Sequence, residues 1–217
     1  MSKLSVSRIT CPKCKHEQDF EIWESVNAQL NPELRHRLLS RDLFRFKCDR
    51  CGNIADAVYP LLYHDMSNKY MIFYALDGMN VPSHPFIEKM MREYNLRKVS
   101  SVNQLVEKIL LLDTDFDERV MEIFKLVMQQ QMGKEDDGKL LFGGMHSDNQ
   151  EKEALNFVWV TDSGNETYDV PLPAFREFEE SIASNLTLQP LDTGEWLTID
   201  RDYVLELMNA AAKDDFD

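Results

Sequence analysis

Apolar and polar residues alternate with a period of two in the first third of the chain. In DFEIWESV (19–26) acidic residues interrupt the apolar ones, and in LFRFKC (43–48) basic residues alternate with Phe44 and Phe46. This period is typical of β-strands with one buried face. The beginning of the chain is therefore predicted to be mainly β.

A further hairpin and one helix complete this part of the chain. ADAVYPLLYHD (55–65) and KYMIFYAL (69–76) are separated by the polar turn MSN, which predicts a hairpin. Asn31 can cap a helix that begins at Pro32, since proline suits the first helical position. The apolar stripe of this helix consists of Leu34, Leu38 and Leu39.

The period changes to that of a helix over residues 84–132. In SVNQLVEKILLL, Ser101 and Gln104 have the spacing of a capping box, and apolar residues follow on one face. DFDERVMEIFKLVMQQQ repeats the same pattern and is followed by Gly133, a typical helix end. The spacing predicts two helices that pack against each other.

Residues 139–217 mix both periods. Strands are predicted at 140–142, 155–160, 166–172, 186–191 and 195–200, and helices at 173–186 and 201–212. The polar segments 133–139 and 143–153 are predicted to be loops.

Composition predicts a packed globular protein of the cytoplasm. Apolar residues make up 43% of the 217 residues, and no apolar stretch is long enough to span a bilayer. The first residues lack the apolar core of a secretory signal. In a reducing compartment, the four cysteines are expected to bind a metal rather than to form disulfides.

Charge is distributed unevenly along the chain. Residues 1–76 hold 11 basic and 9 acidic residues, whereas residues 77–217 hold 13 basic and 29 acidic ones, which gives the net charge of −14. The acidic part should repel polyanions, so any nucleic-acid surface is confined to the N-terminal part.

Two Cys-x-x-Cys motifs contain all four cysteines, CPKC at residues 11–14 and CDRC at residues 48–51. Each motif directs two sulfurs to one ion, and four thiolates are the usual tetrahedral ligands of structural zinc. We therefore expect Cys11, Cys14, Cys48 and Cys51 to bind Zn²⁺. Four protein ligands leave no position for a reacting water, so the expected role is structural. Iron remains an alternative ion.

The motifs and their surroundings resemble the CpXC family of bacterial and archaeal proteins. The resemblance covers CPKC, WESVNAQLNPELRHRLLS (23–40), CDRC with Gly52, and YPLLYHDM (59–66), and extends through NLRKVSSVNQLVEKI and DERVMEIFKLV. It implies that the four cysteines are the defining cluster, and it implies no activity. Lys15 stands where a glycine often follows the first motif.

These patterns together predict an α+β fold. Residues 1–76 are expected to form a β-rich zinc ribbon with an inserted helix, residues 77–133 a helical pair, and residues 134–217 a segment of mixed strands and helices. The last two segments could pack as one unit.

Two other groups of residues could carry function. Residues 35–50 contain several arginines, and with Phe44, Phe46 and Trp23 they could bind nucleic acid, although the same cations could offset the charge of a zinc tetrathiolate. His64, with Asp65 and Glu24, is the candidate for a catalytic site, although neighbouring strand residues point to opposite faces.

A non-enzymatic role is the preferred interpretation of these observations. The chain is expected to be a zinc-stabilised scaffold that binds another protein through its acidic helical or C-terminal surface. A nucleic-acid or transcription-associated zinc-ribbon module is the alternative, and an enzyme built around His64 is the third hypothesis. No membrane interaction is expected.

Overall fold

A computed structural model describes residues 1–81, 91–134, 138–147 and 152–214, with side chains through residue 212. Within these ranges the chain contains strands and helices in comparable amounts, which confirms the predicted α+β class. The strands are β1 (Lys3–Thr10), β2 (Glu17–Asn27), β3 (Arg45–Lys47), β4 (Ile54–Asp56), β5 (Leu61–Asp65), β6 (Tyr70–Tyr74), β7 (Asn95–Val99), β8 (Lys139–Ser147), β9 (Glu153–Thr161), β10 (Gly164–Pro171) and β11 (Trp196–Leu197). The helices are α1 (Pro32–Leu39), α2 (Val102–Leu111), α3 (Glu118–Met132), α4 (Leu172–Asn185) and α5 (Arg201–Asp214), with a short 3₁₀ helix at Asp42–Phe44.

The chain divides into two compact units. The first consists of Met1–Val106 and Asp192–Leu197, and the second consists of Glu107–Leu191 and Thr198–Asp217. Helix α2 begins in the first unit and ends in the second. No helix among the described residues is long and apolar enough to cross a membrane.

The first unit contains a mixed six-stranded sheet among its described strands, in the order β1-β2-β5-β6-β7-β11. The pairs β1–β2 and β5–β6 are antiparallel, and the pairs β2–β5, β6–β7 and β7–β11 are parallel. Strand β2 pairs with β5 only over Ser25–Asn27, so the remainder of the β1–β2 hairpin projects past the end of β5. A separate two-stranded sheet pairs β3 with β4.

Helix α1 lies between the two hairpins, as the sequence predicts. It buries Leu34 and Leu38, and its basic last turn suits the negative end of the helix dipole. The expected cap is wrong in detail, because the Asn31 side chain bonds Glu33 (3.1 Å) instead of a backbone amide.

The second unit packs helices on the three-stranded antiparallel sheet β10-β9-β8. Its core is rich in aromatic rings, with Phe124 in contact with Phe157, Phe175 and Phe178. The helix ends follow the predicted signals. At the start of α2, which lies in the first unit, the backbone amide of Gln104 donates to Ser101 Oγ at 3.2 Å. In the second unit, Gly133 after α3 adopts a left-handed φ of 64°.

Four local predictions are wrong. Residues 95–99, expected in a helix, form strand β7, because two parallel neighbours pair with their backbone. The expected strand at 55–65 falls in two strands of different sheets, β4 and β5, with a break over residues 57–60. Residues 186–191 contain no strand, and only Trp196–Leu197 of 195–200 are paired. Strand β8 continues to Ser147 instead of ending at residue 142. Expectations for residues 82–90, 135–137 and 148–151 lie outside the described residues.

Candidate metal centre

The two cysteine motifs form turns of the same geometry at the tips of two hairpins. In the turn between β1 and β2, the Cys11 amide donates to His16 O (2.8 Å), and the Lys15 amide donates to Cys11 O (3.0 Å). In the turn between β3 and β4, the Cys48 amide donates to Asn53 O (2.9 Å), and the Gly52 amide donates to Cys48 O (2.9 Å). Each turn therefore directs its two sulfurs to the same side.

The residue after the second cysteine of each motif has left-handed backbone geometry. Gly52 has φ of 68°, and no heavy atom lies within 4 Å of the position that a Cβ would occupy. Lys15 has φ of 60° at the equivalent position. A side chain costs about 1–2 kcal/mol in this region because its Cβ crowds a backbone carbonyl oxygen. The first turn thus accepts strain that the second avoids.

The four sulfur atoms fit a tetrahedral zinc ion. Cys11 Sγ lies 3.7 Å from Cys51 Sγ, and Cys14 Sγ lies 3.6 Å from Cys48 Sγ. All four atoms lie within 4.8 Å of one another. Sulfurs that lie ~2.3 Å from a central zinc ion are about 3.8 Å apart at the corners of a tetrahedron. A disulfide requires ~2.05 Å between sulfurs, so none of these pairs is bridged.

Two of the four thiols have strongly shifted pKa values in opposite directions. Hydrogen bonds from the backbone amides of Cys14 and Lys13 lower the pKa of the Cys11 thiol to about 6. The Asn53 amide lowers the pKa of Cys51, but contacts with the other sulfurs and burial outweigh it and raise that pKa to about 12. Without a cation, the cluster therefore cannot ionise completely at neutral pH. Binding of a divalent ion would release the remaining protons.

Side chains from both hairpins fix the two turns relative to each other. Gln18 of β2 donates to Lys47 O (3.1 Å) and accepts from the Asp49 amide (2.8 Å). Behind the sulfurs, the rings of Phe20 and Phe46 are in edge contact, with centroids 6.1 Å apart. Cys11 and Cys48 are buried against this aromatic pair, whereas Cys51 is exposed.

Comparison with protein families supports the resemblance seen in the sequence. Residues 9–125 match the family described as CpXC protein. The chain belongs to the CpXC family. The matched range contains both cysteine motifs and extends into helix α3. No curated protein and no solved structure matches this CpXC chain.

His64, Asp65 and Glu24 do not form a common site in the CpXC chain. His64 Nε2 lies 3.2 Å from the Tyr94 hydroxyl, and its Nδ1 lies 3.4 Å from the side-chain Nδ2 of Asn27. Burial lowers the pKa of His64, which favours the neutral ring. Asp65 instead accepts hydrogen bonds from residues of neighbouring turns, and Glu24 pairs with a lysine of β1. The three residues therefore have separate structural contacts.

Two of the three aromatic residues proposed for base stacking lie in the core, whereas Trp23 is half-buried. Phe44 and Phe46 are each 2% exposed and belong to the core of the first unit. Of the basic residues between the motifs, Arg35 donates to the Tyr63 hydroxyl (3.1 Å), and Arg45 pairs with Asp42 (3.4 Å). The structure thus places the two phenylalanines beneath the surface that a nucleic acid would contact.

A buried ionic network in the second unit was not found by reading the sequence. Lys125 Nζ lies 2.7 Å from Glu107 and 2.8 Å from Glu122, and Lys108 Nζ lies 3.0 Å from Glu118. All five side chains are at least nine-tenths buried, and Glu107 also accepts from the Phe142 amide (2.7 Å). The available signal was the spacing of 118, 122 and 125, which places three charges on one helical face.

Proposed function

We propose that this CpXC chain is a zinc-binding, non-enzymatic protein of the cytoplasm that serves as a protein-interaction scaffold. The arrangement of the four sulfurs carries the zinc assignment, because their separations match a zinc tetrathiolate and none of them is bridged. Unbridged cysteines suit a reducing compartment. Four protein ligands would complete the coordination of zinc, so the ion would stabilise the hairpins and bind no substrate.

The scaffold role is supported by apolar side chains exposed around the hairpins. Leu4 and Val6 of β1 are 43% and 61% exposed, and Ile54 and Val58 near β4 are 61% and 68% exposed. Leu4 and Val6 lie two positions apart on one face of β1 and are a candidate surface for contact with another protein. The predicted acidic surface of the second unit is a separate candidate for binding and remains a prediction.

Metal analysis of the purified chain tests the zinc assignment. We expect one zinc ion per chain by inductively coupled plasma mass spectrometry, and none in a variant with all four cysteines changed to serine. The matched control changes an exposed serine outside the motifs to alanine, Ser67→Ala, and should keep its zinc. Wild-type chain that retains iron, or that retains no metal, would contradict the assignment.

Affinity purification tests the scaffold role. Tagged wild-type chain should retain one stoichiometric protein partner from a cell extract, and nuclease treatment should not release it. A salt-sensitive retardation of nucleic acid in a gel, lost when Arg41 and Arg45 are reversed in charge, would instead support the nucleic-acid alternative.

A further inference from the structure

A cavity of about 310 Å³ lies between the two hairpins that carry the cysteine motifs. Its apolar walls include Ile9 and Phe20 of one hairpin and Phe46 of the other. On the second hairpin, the small side chains of Ala55 and Ala57 leave the space open. Pockets that bind ligands specifically begin at about 300 Å³, so the cavity can accommodate ordered side chains.

The cavity runs beside a strand edge. Its lining includes five consecutive residues, 55–59, of β4 and its continuation. Successive residues of an extended chain point to opposite faces, so a cavity over one face would touch only every second residue. The lining contains residues of both alternating sets together with Phe46 of β3, so the cavity extends over one face of β4 and reaches the backbone where a neighbouring strand would lie.

The hydrogen-bond pattern shows which backbone groups of β4 are directed to this edge. The Ala57 amide bonds Phe44 O (2.7 Å), and the Cys48 amide bonds Asn53 O (2.9 Å). Antiparallel ladders alternate between bonded and unbonded pairs, so the backbone groups of Ile54 and Asp56 point away from β3. Among the described strands, none pairs with this outer edge of β4.

Side-chain chemistry along β4 specifies what such a strand would contain. Ala55 and Ala57 pack against the cluster of Cys11, Phe46 and Cys48. Ile54, Asp56 and Val58 share the opposite face by strand alternation, and Asp56 and Val58 also border the cavity. Ile54 and Val58 are exposed apolar residues on either side of the Asp56 carboxylate. A complementary segment has apolar side chains towards both faces and one basic residue opposite Asp56.

We propose that an extended segment of a partner protein, apolar with one central Lys or Arg, adds to β4 as a strand and fills the cavity between the hairpins. The assignment rests on the proposed scaffold function and names its binding surface. Backbone hydrogen bonds to Ile54 and Asp56 would provide affinity, and the cavity would select the apolar side chains, as in other complexes formed by strand addition.

Selection from a phage-displayed library of random 12-residue peptides tests this surface on the zinc-loaded full chain. Asp56→Pro removes the outward amide of β4 while leaving the bonds to β3, because proline is tolerated where an edge amide faces outward. Ala57→Trp fills the cavity. Arg8→Pro is the matched control, since it removes an outward amide from the edge of β1. The Cys11 amide bonds His16 O, and bonded and unbonded residues alternate from there, so the Arg8 amide points away from β2.

We expect selected peptides to alternate apolar residues around a Lys or Arg. Asp56→Pro and Ala57→Trp should each weaken them at least about fivefold, the factor that corresponds to one backbone hydrogen bond. Arg8→Pro should leave their affinity unchanged. Metal content identifies variants whose hairpins still fold, and Asp56→Pro decides the outcome if Ala57→Trp loses its zinc.

Three results would overturn the inference: no enriched peptide, equal binding by Asp56→Pro, or loss on Arg8→Pro instead. A different result decides the scaffold proposal. A partner purified from extract that binds Asp56→Pro as tightly as wild type preserves the scaffold role and removes the β4 edge as its site. Wild-type chain without zinc refutes the metal assignment whatever the peptides do.

Discussion

Replacement of Lys125 by methionine should destabilise the second unit strongly. The substitution keeps most of the apolar stem and removes the ammonium that lies 2.7 Å from Glu107 and 2.8 Å from Glu122. These carboxylates are 2% and 6% exposed, so water cannot replace the lost partner. Removing one member of a buried ion pair costs about 3–5 kcal/mol, and we expect a loss in that range.

The loss should also depend on pH. Burial raises the pKa of Glu107, and Lys125 is the strongest charge that opposes this rise. In Lys125→Met, Glu107 should keep its proton at pH values where the unfolded chain, with a pKa of about 4.3, has released it. A raised folded-state pKa means that stability falls as pH increases. The variant should therefore lose less, relative to wild type, at pH ~5 than at pH ~7.

Amide hydrogen exchange of β9 provides a readout confined to the second unit. Its slowest amides report the free energy of opening in wild type, Lys125→Met and the matched control Lys139→Met, which alters an exposed lysine of β8. The control should change this free energy by less than about 0.5 kcal/mol. The double variant Lys125→Met with Glu107→Gln should recover part of the loss. A loss below about 1 kcal/mol in Lys125→Met would refute the argument that the network stabilises this unit.

Three further predictions concern the turns and the lysine at the end of α3. Lys15→Gly should stabilise the first unit by about 1 kcal/mol in urea denaturation, and Gly52→Lys should destabilise it by a similar amount. Changes in stability of the same sign for both variants would contradict the strain argument. Cys51→Ser should abolish zinc retention and lower the melting temperature of the first unit, and a variant that melts like wild type would show that the metal is not structural. Lys134→Met removes a cation 5.7 Å from the centre of the Trp159 ring and should cost about 0.5–1 kcal/mol by the same denaturation assay.

Local patterns predicted what local interactions determine. The motifs 11–14 and 48–51 could be recognised because each brings its two sulfurs together within a single turn of four residues. Helices α2 and α3 were equally visible, since their apolar periods, capping residues and final Gly133 all lie within or beside the elements themselves. The α+β class followed from the order of these elements.

Strand β7 could not be recognised because one of its partners is distant in the sequence. NLRKV has no clear alternation, and Arg97 is buried within it. It is a strand because β6 and β11 pair with its two edges, and β11 begins only at Trp196, far along the chain from Val99. The cavity beside β4 could not be predicted from the sequence for a related reason, since it exists only where two separate hairpins meet.

The pairing of β11 with β7 has a consequence for how the chain folds during synthesis. Both hairpins with their cysteines are complete once residue 57 has left the ribosome, so the four sulfurs of the candidate metal centre can converge early. The sheet of the same unit is incomplete until Trp196 and Leu197 have been made. At about 5–20 residues per second, β7 waits several seconds with an open edge, and an open edge invites pairing with other chains. A truncated chain that ends at residue 125, the limit of the family match, would keep that edge open permanently.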